Sequence, residues 1–479
     1  MNSKIKKEQK IKRIKVIEVL TDFDMTLSSS AISEKSVPLK MKNGNTYFKT
    51  KVDYRPSDHE PLYHFPILFN IDGTPWYEGN QFLLHCSTDE SFDYTPSKIA
   101  RKASSLLDYK IWCEENELDM FNFSARRPKS RPTFKYYSYL LGLVIAGGNL
   151  NTRTKLIYDF TVFYSKKYEI DKDRIDQVTD SFIQFKGQTG QVVSKKVKKR
   201  KQTKSRNRKK YSDRKKVLDD GEYLRPLNEH QQELLINALT NNDFRVDERL
   251  IFQLAIDTGA RKQTILTLRL KHLKLCTPDN LKRNGTYEVD AGLGCLADSK
   301  MDKAITISIP YHLAEKLKIY ASSKVAKERR KRFYKTFGQV FKDEDEMYIF
   351  LGARGDCRYM SKSDPRYLKT KTPPTGGSIQ TIVNRLFKLI KDKAFPSDFT
   401  FHWARASFAL NYYNWLQPLV DSKKITYSDQ IAFIQNALCH ETPETTEHYL
   451  KLFTGEDELA EMQEAWEEHF FSHSQFDHG

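Results

Sequence analysis

The spacing of apolar positions shifts from segment to segment along the chain, and each spacing predicts an element. In SKIARKASSLLDYKIWCEENEL, Ile99, Leu106, Leu107, Ile111 and Trp112 recur at helical intervals. RPTFKYYSYLLGLVIAG predicts a second helix stopped by Gly147 and Gly148, after which Asn151 or Thr152 caps a third carrying Leu156, Phe160 and Phe163. Farther on, Asn228 opens a helix in RPLNEHQQELLINAL, and ERLIFQLAIDTG is an apolar helix broken at Thr258, Gly259 and Ala260. Ile265, Leu266, Leu268 and Leu270 then supply the apolar face of the next turn. PYHLAEKLKIYASSKVAKERRKRFYKTF is expected as one long basic helix carrying Arg329, Arg330, Lys331 and Arg332, and residues 375–378 cap the helix in IQTIVNRLFKLIKDKAF. Period-two alternation is rarer: TYFKTKVDY and HFPILFNIDGTPW read as strands with a turn at Asp72 and Gly73, and Ala304 to Ile309 as a strand following a turn at Ser299 to Asp302. The expected fold class is mainly α with small β-sheets.

Two late segments bring candidate chemistry into this pattern. In FTFHWARASFALNYY, His402 and Arg405 stand three apart with Phe408 and Tyr412 following at helical spacing, so the polar pair shares one face. In NALCHETPETTEHYLK, His440 precedes Tyr449 by nine residues, and the intervening ETPETTEH suits a helix start, which puts Tyr449 on its own short helix. Upstream, Arg261 follows a glycine-bounded helix junction, a place from which a side chain reaches into a cleft. Together these are the groups that phosphodiester chemistry needs without a metal. A phenol attacks phosphorus and conserves the bond as a phosphotyrosine, while planar guanidinium forks and imidazoles neutralise the non-bridging oxygens. Either half alone is ordinary: a histidine three before an arginine is most often surface or cap chemistry.

The ordered set TGAR (Arg261), HWAR (His402, Arg405), ALCH (His440) and HYL (Tyr449) resembles the tyrosine recombinases, the phage-integrase-like family of site-specific DNA recombinases. The likeness covers the C-terminal half of the chain. It implies a catalytic lysine in a β-hairpin between the first arginine and H-x-x-R, which is Lys300 in CLADSKMDKAITISIP, with Lys303 as the fallback. It further implies a small helical core-binding DNA domain ahead of the catalytic one, double-stranded DNA recombination sites as partner, a synaptic tetramer and no cofactor or metal. Assistance by a directionality factor or a partner recombinase is compatible with it. Three positions depart from the family pattern. Thr264 stands where an acidic residue usually follows the first arginine, Cys439 where a glycine precedes the later histidine, and Ala404 replaces leucine before Arg405.

Charge adds a second line. The chain carries a formal +17, which points to a polyanionic partner. Between Lys195 and Lys216 there are fourteen Lys or Arg against one acid, so most of the excess lies in one run with no apolar face. That run is expected to be disordered when free, and its Lys195, Lys196, Lys198, Lys199, Arg200, Lys201, Arg206, Arg208, Lys209 and Lys210 are expected to follow DNA phosphates without reading sequence. Nuclear import is the rival reading of such a run. Arg126, Arg127, Lys129 and Arg131 form a second basic cluster, either meeting phosphates or solvated, and Arg329, Arg330, Lys331 and Arg332 a third that flanks DNA or faces water. From Gly455 the charge inverts, and Leu459, Met462, Trp466 and Phe470 make one stripe of an acidic helix that DNA would repel. The resemblance implies that this helix docks on a neighbouring protomer; folding back in cis is the alternative.

The expected organisation is an α+β N-terminal extension or arm (1–93), which packing onto the next domain would equally explain, and a helical DNA domain (94–190). A basic linker (191–222), a catalytic domain (223–454) and an acidic docking helix (455–479) follow. Six scattered cysteines without a C-x-x-C pair suit a reducing compartment, and no apolar run reaches about eighteen residues, so a cytoplasmic, nucleoid-associated protein is expected. Two other functions share the residues: a type IB topoisomerase-like or hairpin-forming resolvase, and a DNA-binding accessory protein of the same fold that no longer cuts.

Overall fold

The computed structural model describes residues 10, 12–21, 36–40, 46–50, 60–89, 94–143, 145–186, 192–204, 217–219, 222–241, 243–440 and 446. It divides into two compact units, Met1–Arg208 with Leu368–Thr372, and Lys209–Tyr367 with Pro373–Gly479. Both are mainly helical with two-stranded antiparallel sheets. Among the described residues no helix is long and apolar enough to cross a membrane.

In the first unit, strand β1 (Ile14–Leu20) pairs with β4 (Leu62–Leu68), and β2 (Ser36–Lys40) with β3 (Thr46–Thr50). Helices α1 (Tyr77–Thr88), α2 (Pro96–Glu115), α3 (Pro132–Gly142) and α4 (Gly147–Phe163) follow. Phe65, Leu68, Trp76 and Phe82 are buried in the same core as Leu106, Leu107, Trp112, Tyr136 and Phe160. Residues 60–89 are therefore a packing extension of the helical domain. Arg13 fastens β1 to this core, donating to both carboxylate oxygens of Glu114 at 2.5 and 2.9 Å. The helix boundaries differ from expectation at Gly147 and Gly148, which open α4 instead of ending α3. Asn151 is consequently inside α4, where its amide bonds the backbone of Lys204 in both directions at 2.8 and 3.0 Å.

The basic run also departs from expectation over its first part. A helix of four residues, α5 (Lys172–Ile175), leads into β5 (Val178–Lys186), which pairs along its whole length with β6 (Val192–Arg200). Backbone pairing to a neighbouring strand gives the lysines an ordered frame that their own sequence, lacking an apolar face, does not announce. Lys196, Lys198, Lys199 and Lys201 are exposed, whereas Arg200 turns inward, donating to the Thr154 carbonyl at 3.0 Å and lying over the Tyr158 ring. Arg206, Arg208, Lys209 and Lys210 lie outside the described residues.

The second unit opens with a short hairpin, β7 (Val217–Asp219) and β8 (Glu222–Leu224). Helices α6 (Glu229–Thr240), α7 (Val246–Thr258), α8 (Lys262–Thr267) and α9 (Leu270–Lys274) come next, then the hairpin β9 (Thr286–Ala291) and β10 (Ile305–Pro310). Asn228 caps α6 in a reciprocal capping box with Gln231. The predicted long basic helix is two: Ser323 ends α10 (Tyr311–Ser322) and caps α11 (Lys324–Phe337) by accepting from the Ala326 N–H. Arg329 and Arg330, expected to face DNA or water, are buried. Arg329 reaches Asp247 at 2.9 Å beside Arg358, which reaches the same carboxylate at 2.5 Å. Burial alone would raise the pKa of Asp247, but hydrogen bonds and charge from the two arginines hold it below the usual carboxylate range. Lys331 and Arg332 are the exposed members of that cluster. The last described helices of the unit are α12 (Gly377–Leu389), α13 (Trp403–Asp421) and α14 (Tyr427–Leu438), whose apolar faces share one core with α7, α10 and the β9–β10 hairpin.

Candidate active site

Helix α7 ends where Gly259 takes a left-handed conformation (φ 63°, ψ 8°), its N–H closing back on the Ala255 carbonyl at 3.1 Å. That reversal sets Arg261 at the N-cap of α8, half-buried. No side chain fits at 259, since a Cβ there would stand 2.5 Å from the Phe408 ring. Gly259→Ala is accordingly expected to cost about 1–3 kcal/mol, from overpacking added to the left-handed penalty, read as a lower urea midpoint.

Helix α13 begins immediately after His402, which is its N-cap, and its first turn carries Arg405, 3% exposed. The Arg405 guanidinium donates to the Gly259 carbonyl and to the Leu438 carbonyl, both at 2.5 Å. These acceptors lie two residues before Arg261 and two before His440. A single planar fork thus gathers three segments that are widely separated in sequence.

At the far acceptor, α14 ends in a second left-handed residue, Cys439 (φ 50°, ψ 46°), with the His440 N–H closing on the Gln435 carbonyl at 3.0 Å. This conformation accounts for the glycine of the family pattern at this position; cysteine tolerates it at a cost of about 1 kcal/mol. The Cys439 thiol points to the Thr306 carbonyl of β10 at 3.6 Å, bringing the β9–β10 hairpin against the same corner. His440 is buried, with Nδ1 and Thr446 Oγ1 3.0 Å apart. His402 faces a cavity of about 230 Å³, which it lines together with Lys262, Gly376 and Gly377. Lys300 is exposed in the turn between β9 and β10, on a single 3-10 turn, Lys300–Asp302. Lys303 ends that turn, half-buried, and its carbonyl approaches Gly292 so closely that a Cβ at 292 would lie 2.2 Å away.

Arg261, His402, Arg405, His440 and the Lys300 hairpin are therefore linked within one unit, whereas Tyr449 lies outside the described residues, as do Leu459, Met462, Trp466 and Phe470. Of the second basic cluster, Arg126, Arg127 and Lys129 are exposed. Arg131 is not a phosphate ligand by position: it is buried and donates to the carbonyls of Ala125, Arg126 and Arg174 at 3.0–3.2 Å, holding the loop that displays the other three.

Sequence patterns missed Lys262, at the cavity wall, and Asp298, a buried carboxylate beside the Lys300 turn. Lys262 directly follows Arg261 and Asp298 stands two residues before Lys300, and those places are the signals by which the sequence marks them. Thr264, at the position usually acidic, is fully buried, and its Oγ1 has no hydrogen-bond partner among the described residues.

The model of the phage integrase family matches residues 225–456. Among solved structures, the chain is similar to the Tn1549 transposon integrase in complex with transposon right end DNA, at 12% identity over 81% of this chain and 98% of that one, TM-score 0.39. It is also similar to the XerH site-specific recombinase bound to difH substrate (15% identity, 81% and 95% covered, TM-score 0.35) and to a lambda integrase dimer bound to a COC′ core site (13%, 79% and 96%, TM-score 0.36). No curated protein matches the chain in sequence.

Proposed function

Through residues 225–456 the chain belongs to the phage integrase family of tyrosine recombinases, and from that premise we propose that it cuts and rejoins DNA at specific sites through a 3′-phosphotyrosine, as the integrase of a mobile element. The observation that carries the reading is the bridge from Arg405 to the carbonyls of Gly259 and Leu438, which assembles Arg261, Arg405 and His440 at one corner.

In this reading Tyr449 attacks the scissile phosphate, giving a phosphotyrosine and a free 5′-hydroxyl. Arg261 and Arg405 hold the non-bridging oxygens as charge builds there, and His402 and His440 donate hydrogen bonds or carry the phenol proton. Lys300 gives a proton to the departing 5′-oxygen. The 5′-hydroxyl of a partner strand then attacks the phosphotyrosine and reseals the DNA, so no nucleotide cofactor enters. Lys300→Ala is expected to slow cleavage of ordinary DNA by about 10²–10⁴-fold, the usual range for losing a general acid. A 5′-phosphorothiolate, whose sulfur leaves unprotonated, should be slowed far less; equal slowing on both substrates moves the acid to Lys303 or elsewhere.

The exposed lysines of β6, with Arg126 and Arg127, serve as phosphate contacts in the same proposal, giving a steep salt dependence. The active assembly is a tetramer on paired sites, joined by the acidic helix of Leu459, Met462, Trp466 and Phe470. A groove of about 710 Å³ on the second unit suits that helix: Val246, Ile319 and Val325 are exposed apolar walls, and Arg245, Arg249 and Lys316 stand at its rim. Acidic charge and an apolar stripe complement both features. Trp466→Ala is expected to leave cleavage at a single bound site intact and to abolish the tetramer in sedimentation on paired sites. A variant that still forms tetramers excludes the docking role.

Supercoil relaxation without paired sites would favour the topoisomerase-like alternative, and absence of any covalent adduct on a suicide substrate would favour the non-cleaving one.

A further inference from the structure

The β9–β10 hairpin is paired from Thr286 opposite Pro310 to Ala291 opposite Ile305, and Tyr287, Val289, Ile307 and Ile309 anchor its strands in the core of the unit. The long turn above them is a different matter. It must set Lys300 at one place while Met301 and Asp302 both hold left-handed conformations (φ 58° and 57°), which persist only where surroundings over-determine them. Asp298 is where those surroundings meet. Its carboxylate, 5% exposed, accepts from Ser361 Oγ at 2.5 Å, the Lys362 N–H at 3.1 Å and Gln263 Nε2 at 3.3 Å. Its own N–H donates to Thr267 Oγ1 at 2.8 Å. Past Lys300, Asp302 accepts from Lys362 Nζ at 2.5 Å, so the same segment grips the turn on both sides.

Gln263 and Thr267 belong to α8, the helix that starts at Arg261. Asp298 thus joins three things: the arginine proposed to hold the phosphate, the turn carrying the proposed acid, and the segment Ser361–Lys362. A carboxylate is expensive to bury unless donors fill its lone pairs, and here three donors from two other segments do so.

We infer that Asp298 is a positioning residue that fixes the Lys300 turn relative to Arg261, delivering from the hairpin side the carboxylate that the family pattern places on α8 and that Thr264 here lacks. The inference rests on Lys300 as the general acid. Asp298 touches no reacting atom; its effect is transmitted by the geometry of the turn. Loss of its bonds lets the ammonium wander by an ångström or more from the leaving oxygen, enough to cost about 10²-fold in rate.

The test is single-turnover cleavage of a nicked suicide substrate in two forms, with bridging 5′-oxygen or 5′-sulfur, by the full-length protein and its Asp298→Ala, Ser361→Ala and Lys300→Ala variants. Asp298→Ala is expected to slow the oxygen ester by about 10²-fold and the sulfur ester by less than about threefold, and to add nothing when combined with Lys300→Ala. Ser361→Ala should show the same selectivity more weakly, and it carries the test if Asp298→Ala fails to fold. Equal slowing of both esters by Asp298→Ala or Ser361→Ala, while Lys300→Ala discriminates between them, overturns the positioning role alone. Equal slowing by Lys300→Ala itself overturns the acid assignment and the positioning role with it. Full multiplication of the two losses in the double variant also overturns it.

Discussion

Tyr449→Phe is expected to bind its DNA site with the parent's affinity and to leave no protein on the DNA after denaturation. The substitution removes one oxygen atom and keeps the ring, so packing and charge are almost untouched. What disappears is the only protein atom in this scheme that forms a bond to phosphorus. Its partners would still gather around the phosphate, but water is neither held in line nor able to store the bond for a second transfer. The loss should therefore be complete within detection on a denaturing gel, in contrast to the graded losses expected from the surrounding groups. A Phe variant that still traps DNA would move the nucleophile elsewhere.

The second large effect is expected at Arg405, and there stability and rate should fall together. Arg405→Ala strips the donors from two buried carbonyls, those of Gly259 and Leu438. A buried acceptor left without a donor costs about 1–3 kcal/mol, so a loss of about 2–6 kcal/mol in unfolding free energy is expected for the pair. Cleavage, measured below the unfolding transition, should fall by at least about 10²–10³-fold, the usual consequence of removing one preorganised donor to a developing oxyanion. Arg405→Lys separates the two effects. An ammonium on a flexible stem can satisfy one carbonyl but cannot span both as a planar fork does, so much of the stability should return while the rate does not. Full recovery of rate by lysine would reduce Arg405 to a point charge and remove the geometric part of the account.

Much of the site was legible because its spacing is local chemistry written into helix ends. The T-G step before Arg261 announced the left-handed reversal that Gly259 makes, and Asn228 announced its own capping box. The ordered set of Arg261, His402, Arg405 and His440 is gathered into one unit by contacts that each join distant segments. What stayed hidden depends on partners far away in sequence. Arg329 reads as a solvent-facing charge until Asp247, more than eighty residues earlier, is placed beside it. Arg131 looks like a phosphate ligand until three backbone carbonyls occupy its guanidinium. The lysines of β6 lack an apolar face, so only pairing with Val178–Lys186 reveals a strand. Cys439 departs from a glycine of the family pattern, and it adopts the left-handed conformation that a glycine takes up readily.

Identification of the residue joined to DNA tests the central claim most directly. The wild-type protein would be trapped on a nicked substrate built from its own cleavage site, denatured, digested with trypsin and sequenced. The account predicts one adduct, a 3′-phosphate in the peptide that runs from Ile425 to Lys451, placed by fragment sequencing on Tyr449 and not on Tyr427, the other tyrosine of that peptide. A linkage to any other residue, or to a 5′-phosphate, would contradict it.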